Sequence, residues 1–115
     1  TQRLSWLVGE GWAKKMILCG ERIKADTAKE IGLVEEVVNS GESLNRAMAL
    51  AEQAGEQSPI SVSSCKDLIH QARNNAVSQA LPYERQKFVD LFGTNDQKEG
   101  VTAFLEKRKP NWTNS

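Results

Sequence analysis

The chain has 115 residues, of which 39% are hydrophobic, and its 15 Lys and Arg balance its 15 Asp and Glu. This length allows one domain or less, and the balanced charge excludes a global field that attracts nucleic acid or a membrane surface. No apolar run approaches the roughly 20 residues of a membrane span. We therefore expect a thinly cored folded unit that buries part of its apolar surface against something else.

The cysteines and the first residues of the chain suggest a cellular compartment and a position within a longer protein. Cys19 and Cys65 lie far apart and follow no secretory leader, so we expect reduced thiols and a cytoplasmic location. The start at Thr1 has no initiator Met and no leader-like region, which favours a cut inside a longer protein.

The first part of the chain is predicted to form short helices. A helix from Thr1 stops near Gly9, and a second covers residues 11–19, with Gly20 as its C′ residue. A third opens with Asp26 or a neighbour as its N-cap. Residues 33–38 then carry the only clear β-branched enrichment, which predicts a short strand or extended arm.

The rest of the chain has a helical period. Ser43 is a candidate N-cap for a helix that fades near Gly55, and Ser58 with Pro59 opens the next helix. A further helix covers residues 77–92. Because Pro82 lies near its first turns, we expect regular helix to begin close to Leu81.

The last helix begins at Thr94, which forms a capping-box pattern with Gln97. Asp96 and Glu99 place negative charge near its positive end, and a basic cluster at residues 107–109 lies in its last turn. Helix physics alone explains these charges, so basic residues there are also typical of a solvated helix end.

Two features of this helix suggest a site. Gly100 lies in the helix interior, where glycine costs about 1 kcal/mol relative to alanine, which indicates a close approach by another backbone or helix. Phe104 and Lys107 are spaced i, i+3 and share one helix face. An aromatic ring beside an ammonium group suits a nucleotide, since the ring covers the base and the ammonium meets a phosphate at about 1.5–3 kcal/mol. Phe104 as a core residue remains an alternative.

The predicted fold class is mostly α, with short helices, a helical C-terminal bundle and one short extended segment near residues 33–38. We divide the chain into residues 1–40, a helical region at 41–110 and a tail at 111–115, which Trp112 can pin.

Other candidate sites are weak. His70 is the only histidine and has no partner at triad or ligand spacing, so neither catalysis nor metal binding is expected there. The Gly9-Glu10-Gly11 run lacks the Lys-Ser/Thr that completes a phosphate loop.

Three blocks of the chain, in this order, resemble the C-terminal part of the enoyl-CoA hydratase/isomerase (crotonase) family. They are Thr1-Gln2-Arg3-Leu4 with Val8-Gly9 and Ala13; Gly20-Glu21-Arg22-Ile23 with Ala25, Ala28, Gly32-Leu33-Val34 and Val37-Val38; and Asp96-x-x-Glu99-Gly100-x-x-Ala103-Phe104-x-x-Lys107-Arg108-x-Pro110.

The resemblance implies a spiral of ββα units followed by a helical region that builds a trimer or a dimer of trimers. It implies an acyl-CoA thioester as substrate, a backbone oxyanion hole, no cofactor and no metal, and in hydratases two glutamates as acid and base. It also implies that Phe104 and Lys107 contact the adenine-phosphate end of CoA, typically from a neighbouring subunit, with Arg108 as a secondary contributor.

The oxyanion-hole segments and both glutamate positions of the family lie upstream of Thr1. No catalytic residue is therefore assigned to this chain, and Glu10 and Glu99 are not given that role. We expect the isolated chain to be inactive. Hydration, isomerisation and other reactions stay open, and the alternative function is a stand-alone helical protein-interaction module.

Overall fold

A computed structural model describes all 115 residues, with six helices and no strand. The predicted mostly α fold class is confirmed. The chain divides into two compact units, Thr1–Arg46 and Ala47–Ser115. The functional division at residues 40 and 110 stays a prediction.

The first unit begins with α1, Gln2–Leu18, which is broken at Gly9 (φ 76°, ψ 165°). The break gives the two helical segments that the sequence predicted, because only glycine adopts this backbone conformation without strain. Gly20 follows the helix with φ 67°, which confirms its predicted place at the helix end.

The second helix of this unit, α2, spans Ala25–Glu30. Its N-cap is Lys24, whereas Asp26 lies inside the first turn and makes no capping bond. Asp26 was therefore the wrong choice among the candidate caps. The small apolar core of this unit consists of Val8, Ala13 and Ala28.

The predicted short strand at residues 33–38 does not form. The segment is tied to α2 at its start, where the amides of Leu33 and Val34 donate to Ala28 O at 2.8 and 3.3 Å. No second strand pairs with it, and a strand needs such a partner for its backbone groups. β-branched enrichment alone was insufficient evidence for a strand.

The remaining helices are α3 (Ser43–Gly55), α4 (Pro59–Ala72), α5 (Val77–Leu91) and α6 (Asn95–Glu106). Ser43 was predicted as the N-cap of α3, the residue before the helix. In the structure it is the first residue of the helix itself.

The Ser58–Pro59 start of α4 is confirmed, since the Ser58 side chain accepts from the Ser61 amide at 3.5 Å. Helix α4 packs on α5, and the Tyr83 hydroxyl on α5 donates to Asp67 on α4 at 2.8 Å.

Helix α5 begins earlier than predicted. It is regular from Val77, with Pro82 inside it. Pro82 is the sixth residue of the helix, so it removes only the backbone bond that its amide would donate to Ser78 O, and the turns on both sides of it stay helical. The expected start near Leu81 was wrong.

The second unit has little apolar core of its own. Ala103 is its only buried apolar side chain, and large apolar side chains on α5 and α6 and between them are half exposed or more. They are Val77, Leu81, Phe88, Val89, Phe92, Val101, Phe104 and Leu105. No helix of the chain has the length and apolarity needed to cross a membrane.

Candidate functional site

The candidate site lies at the end of α6. The helix starts at its predicted N-cap, where the Thr94 hydroxyl accepts from the Gln97 amide at 3.1 Å. Only this half of the capping box forms, because the Thr94 amide donates to Leu91 O at 3.4 Å. The start of α6 therefore follows from local capping.

Lys107 lies just past the end of α6, in the left-handed conformation (φ 55°, ψ 39°). Its amide donates to Phe104 O at 3.2 Å and the Arg108 amide donates to Ala103 O at 3.0 Å. These two bonds form a Schellman motif, in which glycine usually holds the left-handed position. The prediction that Lys107 lies in the last helical turn was wrong, because the helix ends at Glu106.

The two predicted CoA-contacting residues are both accessible. Phe104 is 82% exposed, so it is no core residue of this chain. Lys107 is exposed and forms no ion pair. The i, i+3 spacing predicted that Phe104 and Lys107 share one helix face, but α6 ends at Glu106, one residue before Lys107. Their contact with CoA stays a prediction.

Arg108 is already occupied by carboxylates. Its Nη1 and Nη2 donate to the two carboxylate oxygens of Glu99 at 2.5 and 2.9 Å, and its Nε donates to Glu106 at 2.7 Å. The Asn111 amide also donates to Glu99, at 2.7 Å. The hydrogen bonds that Glu99 accepts, first from Arg108 and second from the Asn111 amide, lower the pKa of Glu99 to about 2. The hydrogen bonds that Arg108 donates to Glu99 and Glu106 raise the pKa of Arg108. The charge of Arg108 is therefore already paired with carboxylates, whereas the ammonium group of Lys107 is available to a ligand.

Asp96 is the buried acid of this region, only 2% exposed. Its carboxylate accepts from the Ser58 hydroxyl at 2.8 Å, from the Thr113 amide and hydroxyl at 2.8 and 3.2 Å, and from the Asn114 amide at 3.0 Å. Burial raises the pKa of Asp96, but these donors outweigh it and the pKa lies below its usual range. Asp96 thus joins the start of α4 to residues 113 and 114.

Trp112 explains the glycine inside α6. A Cβ added at Gly100 would lie 3.2 Å from Cη2 and 3.3 Å from Cζ3 of the Trp112 ring. The indole Nε1 donates to Glu56 O, just past α3, at 2.7 Å. The close approach predicted at Gly100 exists, but a side chain makes it and not the backbone or helix that we expected. Trp112 pins residues 111–115 as the sequence suggested.

Other reactive side chains do not gather into a site. His70 is exposed on α4, both cysteines are free and exposed, and Glu10 pairs with Lys14 at 3.1 Å on the surface. No group of three or more His, Cys, Asp or Glu side chains is placed to hold a metal ion.

Comparison with known proteins places this geometry in one family. The sequence model of the family described as Enoyl-CoA hydratase/isomerase matches residues 1–115. The Short-chain-enoyl-CoA hydratase of Clostridium acetobutylicum is 43% identical over 109 residues, which are 95% of this chain and 42% of that protein. The chain thus spans about two fifths of the length of this relative.

Solved structures agree with this match. The structure of Pseudomonas aeruginosa DspI is 57% identical, with a TM-score of 0.93, over 96% of this chain and 42% of that one. The enoyl-CoA hydratase of Bacillus anthracis is 38% identical, with a TM-score of 0.94, over 99% of this chain and 44% of that one.

Proposed function

Because the chain belongs to the enoyl-CoA hydratase/isomerase family, we propose that the protein containing it processes an enoyl-CoA thioester. The observation that carries this proposal is the family match along all 115 residues. In this proposal the catalytic groups lie outside this chain, because the family resemblance places the oxyanion-hole segments and both glutamates upstream of Thr1. The chain covers only 42% of the length of two relatives, which is consistent with that placement. The match extends over the whole of this chain, which favours a part of an enzyme over a stand-alone interaction module.

Phe104 and Lys107 form part of the CoA site in this proposal. An 82% exposed aromatic ring suits stacking on adenine, and a cation without an ion-pair partner suits a phosphate. Arg108, held by Glu99 and Glu106, contributes at most a secondary charge. The thioester is the substrate, and the reaction needs no separate cofactor or metal.

The helical region also supplies oligomer contacts in this proposal. Large apolar side chains on α5 and α6 are half exposed or more, and large exposed apolar patches usually mark a contact. A trimer or a dimer of trimers is the assembly that we propose. The two free, exposed thiols favour a reducing compartment, and we propose the cytoplasm.

Steady-state kinetics of the complete protein with a short enoyl-CoA tests the reaction and the site together. We expect turnover of the enoyl-CoA, and a higher KM for this substrate in the Phe104→Ala and Lys107→Ala variants with little change in kcat. Lys109→Ala is the matched control for Lys107→Ala, because Lys109 belongs to the same basic cluster and its side chain is 93% exposed. Absence of turnover would contradict the enzyme class, and an unchanged KM in both site variants would contradict the site.

The 115-residue chain alone should not turn over enoyl-CoA at a rate above the uncatalysed one. Turnover at the rate of the complete protein would place catalytic groups inside this chain and contradict the proposal.

A further inference from the structure

The left-handed backbone of Lys107 is unusual for a residue with a side chain. In this conformation the Cβ crowds the following carbonyl, which is why glycine usually ends a helix in this way. Glycine at this position would end the helix without strain, so the lysine indicates a use for its side chain.

A carboxylate two turns back on α6 holds the residues that follow Lys107. Glu99 binds both terminal nitrogens of Arg108 and the amide of Asn111. The Arg108 amide is in turn bonded to Ala103 O at 3.0 Å. Arg108 is thus fixed through its backbone and its side chain, and this fixes the peptide group that follows Lys107.

We propose that Glu99 is a positioning residue, which holds Arg108 and Asn111 so that Lys107 stays in its left-handed conformation and presents its ammonium group to an anionic ligand. This proposal rests on the proposed function, in which that ligand is the nucleotide end of a CoA thioester. Glu99 itself touches no substrate.

Replacement of Glu99 by glutamine distinguishes positioning from a simple effect of charge, because the two change the binding of an anionic ligand in opposite directions. Glu99 is negative, so its replacement by glutamine removes a charge that repels an anion and should strengthen anion binding by electrostatics alone. Loss of positioning weakens anion binding. Glutamine cannot accept hydrogen bonds from both Arg108 donors in the same way, so Arg108 and therefore Lys107 are held less firmly. Glu106→Gln is the charge-matched control, since Glu106 contacts Arg108 only at Nε.

The test compares an enoyl-CoA thioester with the corresponding pantetheine thioester, which lacks the nucleotide, in steady-state kinetics of the complete protein. For Glu99→Gln we expect KM for the CoA thioester to rise about 5- to 10-fold, less than for loss of the ammonium group itself. We expect unchanged kcat, unchanged kinetics with the pantetheine thioester, and no rise of KM in Glu106→Gln. Arg108→Lys, which keeps the positive charge but cannot bind both carboxylate oxygens of Glu99 in the same way, should give the same pattern.

Three results would overturn the proposal. They are an unchanged or lower KM for the CoA thioester in Glu99→Gln, an equal rise for both thioesters, and a fall in kcat with both thioesters, which would mean general damage. If Glu99→Gln does not fold, Arg108→Lys decides by the same criteria, because it breaks the paired contact with Glu99 and keeps the charge. If Lys107→Ala leaves KM for the CoA thioester unchanged, the proposed CoA site fails. If only Glu99→Gln and Arg108→Lys leave it unchanged, positioning alone fails.

Discussion

Lys107→Gly should stabilise the protein while it weakens CoA binding. The structure places Lys107 at φ 55° and ψ 39°, a conformation that costs a residue with a Cβ about 1–2 kcal/mol. Glycine removes this strain but adds freedom to the unfolded chain, which costs about 0.5–1 kcal/mol. The free energy of unfolding should therefore rise by about 0.75 kcal/mol, the difference between the middle values of these two ranges.

Urea unfolding of the wild type, Lys107→Gly and Lys107→Ala measures this effect. Alanine is the matched control, because it removes the ammonium group but keeps the Cβ and its strain. The alanine variant should match the wild type in stability, the glycine variant should exceed both, and both variants should lose CoA affinity. Equal stability of the glycine and alanine variants would refute the argument that Lys107 is held in a strained conformation.

Further predictions concern the packing around α6. Gly100→Ala should gain about 1 kcal/mol of stability only in a Trp112→Ala background, because with Trp112 present the new Cβ lies 3.2 Å from the ring. Urea unfolding of the four proteins of this double-mutant cycle measures the gain. Gly11→Ala is the control, because Gly11 lies in a helix and a Cβ there meets open space. Equal gains in both backgrounds would contradict it. Asp96→Ala should speed amide hydrogen exchange at residues 113 and 114, whereas Asp96→Asn, which keeps an acceptor oxygen, should do so less; unchanged exchange in the alanine variant would argue against this anchor. The pKa of Glu99, about 2 when folded against an ordinary 4.5, adds stability above about pH 4.5 that is lost as the pH falls towards 2. Glu99→Gln should flatten the dependence of stability on pH in that window, and an unchanged slope would contradict the shift.

Local capping signals made much of α4 and α6 predictable from the sequence. Thr94 and Ser58 were identified as N-caps because the bond from a cap side chain to the backbone spans only three residues. Gly9 was identified as a break for a similarly local reason, since its backbone conformation suits glycine alone.

The long-range contacts of Asp96 were not predicted from the sequence. Asp96 was interpreted as a helix-dipole partner, but its donors are Ser58 and residues 113 and 114, far away in the chain. Nothing in the local pattern marks such an acceptor. The left-handed Lys107 was missed because the basic cluster and Pro110 suggested a helix that continued into residues 107–109. The Schellman motif that ends it depends on backbone geometry more than on residue type here.

Titration of CoA into the complete protein tests the central claim most directly, namely that Lys107 binds the nucleotide end of the thioester. Isothermal calorimetry should show that Lys107→Ala weakens CoA binding by roughly 10- to 100-fold, the loss of one charge-assisted hydrogen bond. The Lys109→Ala variant should bind CoA as the wild type does. Wild-type affinity for CoA in Lys107→Ala would contradict the account.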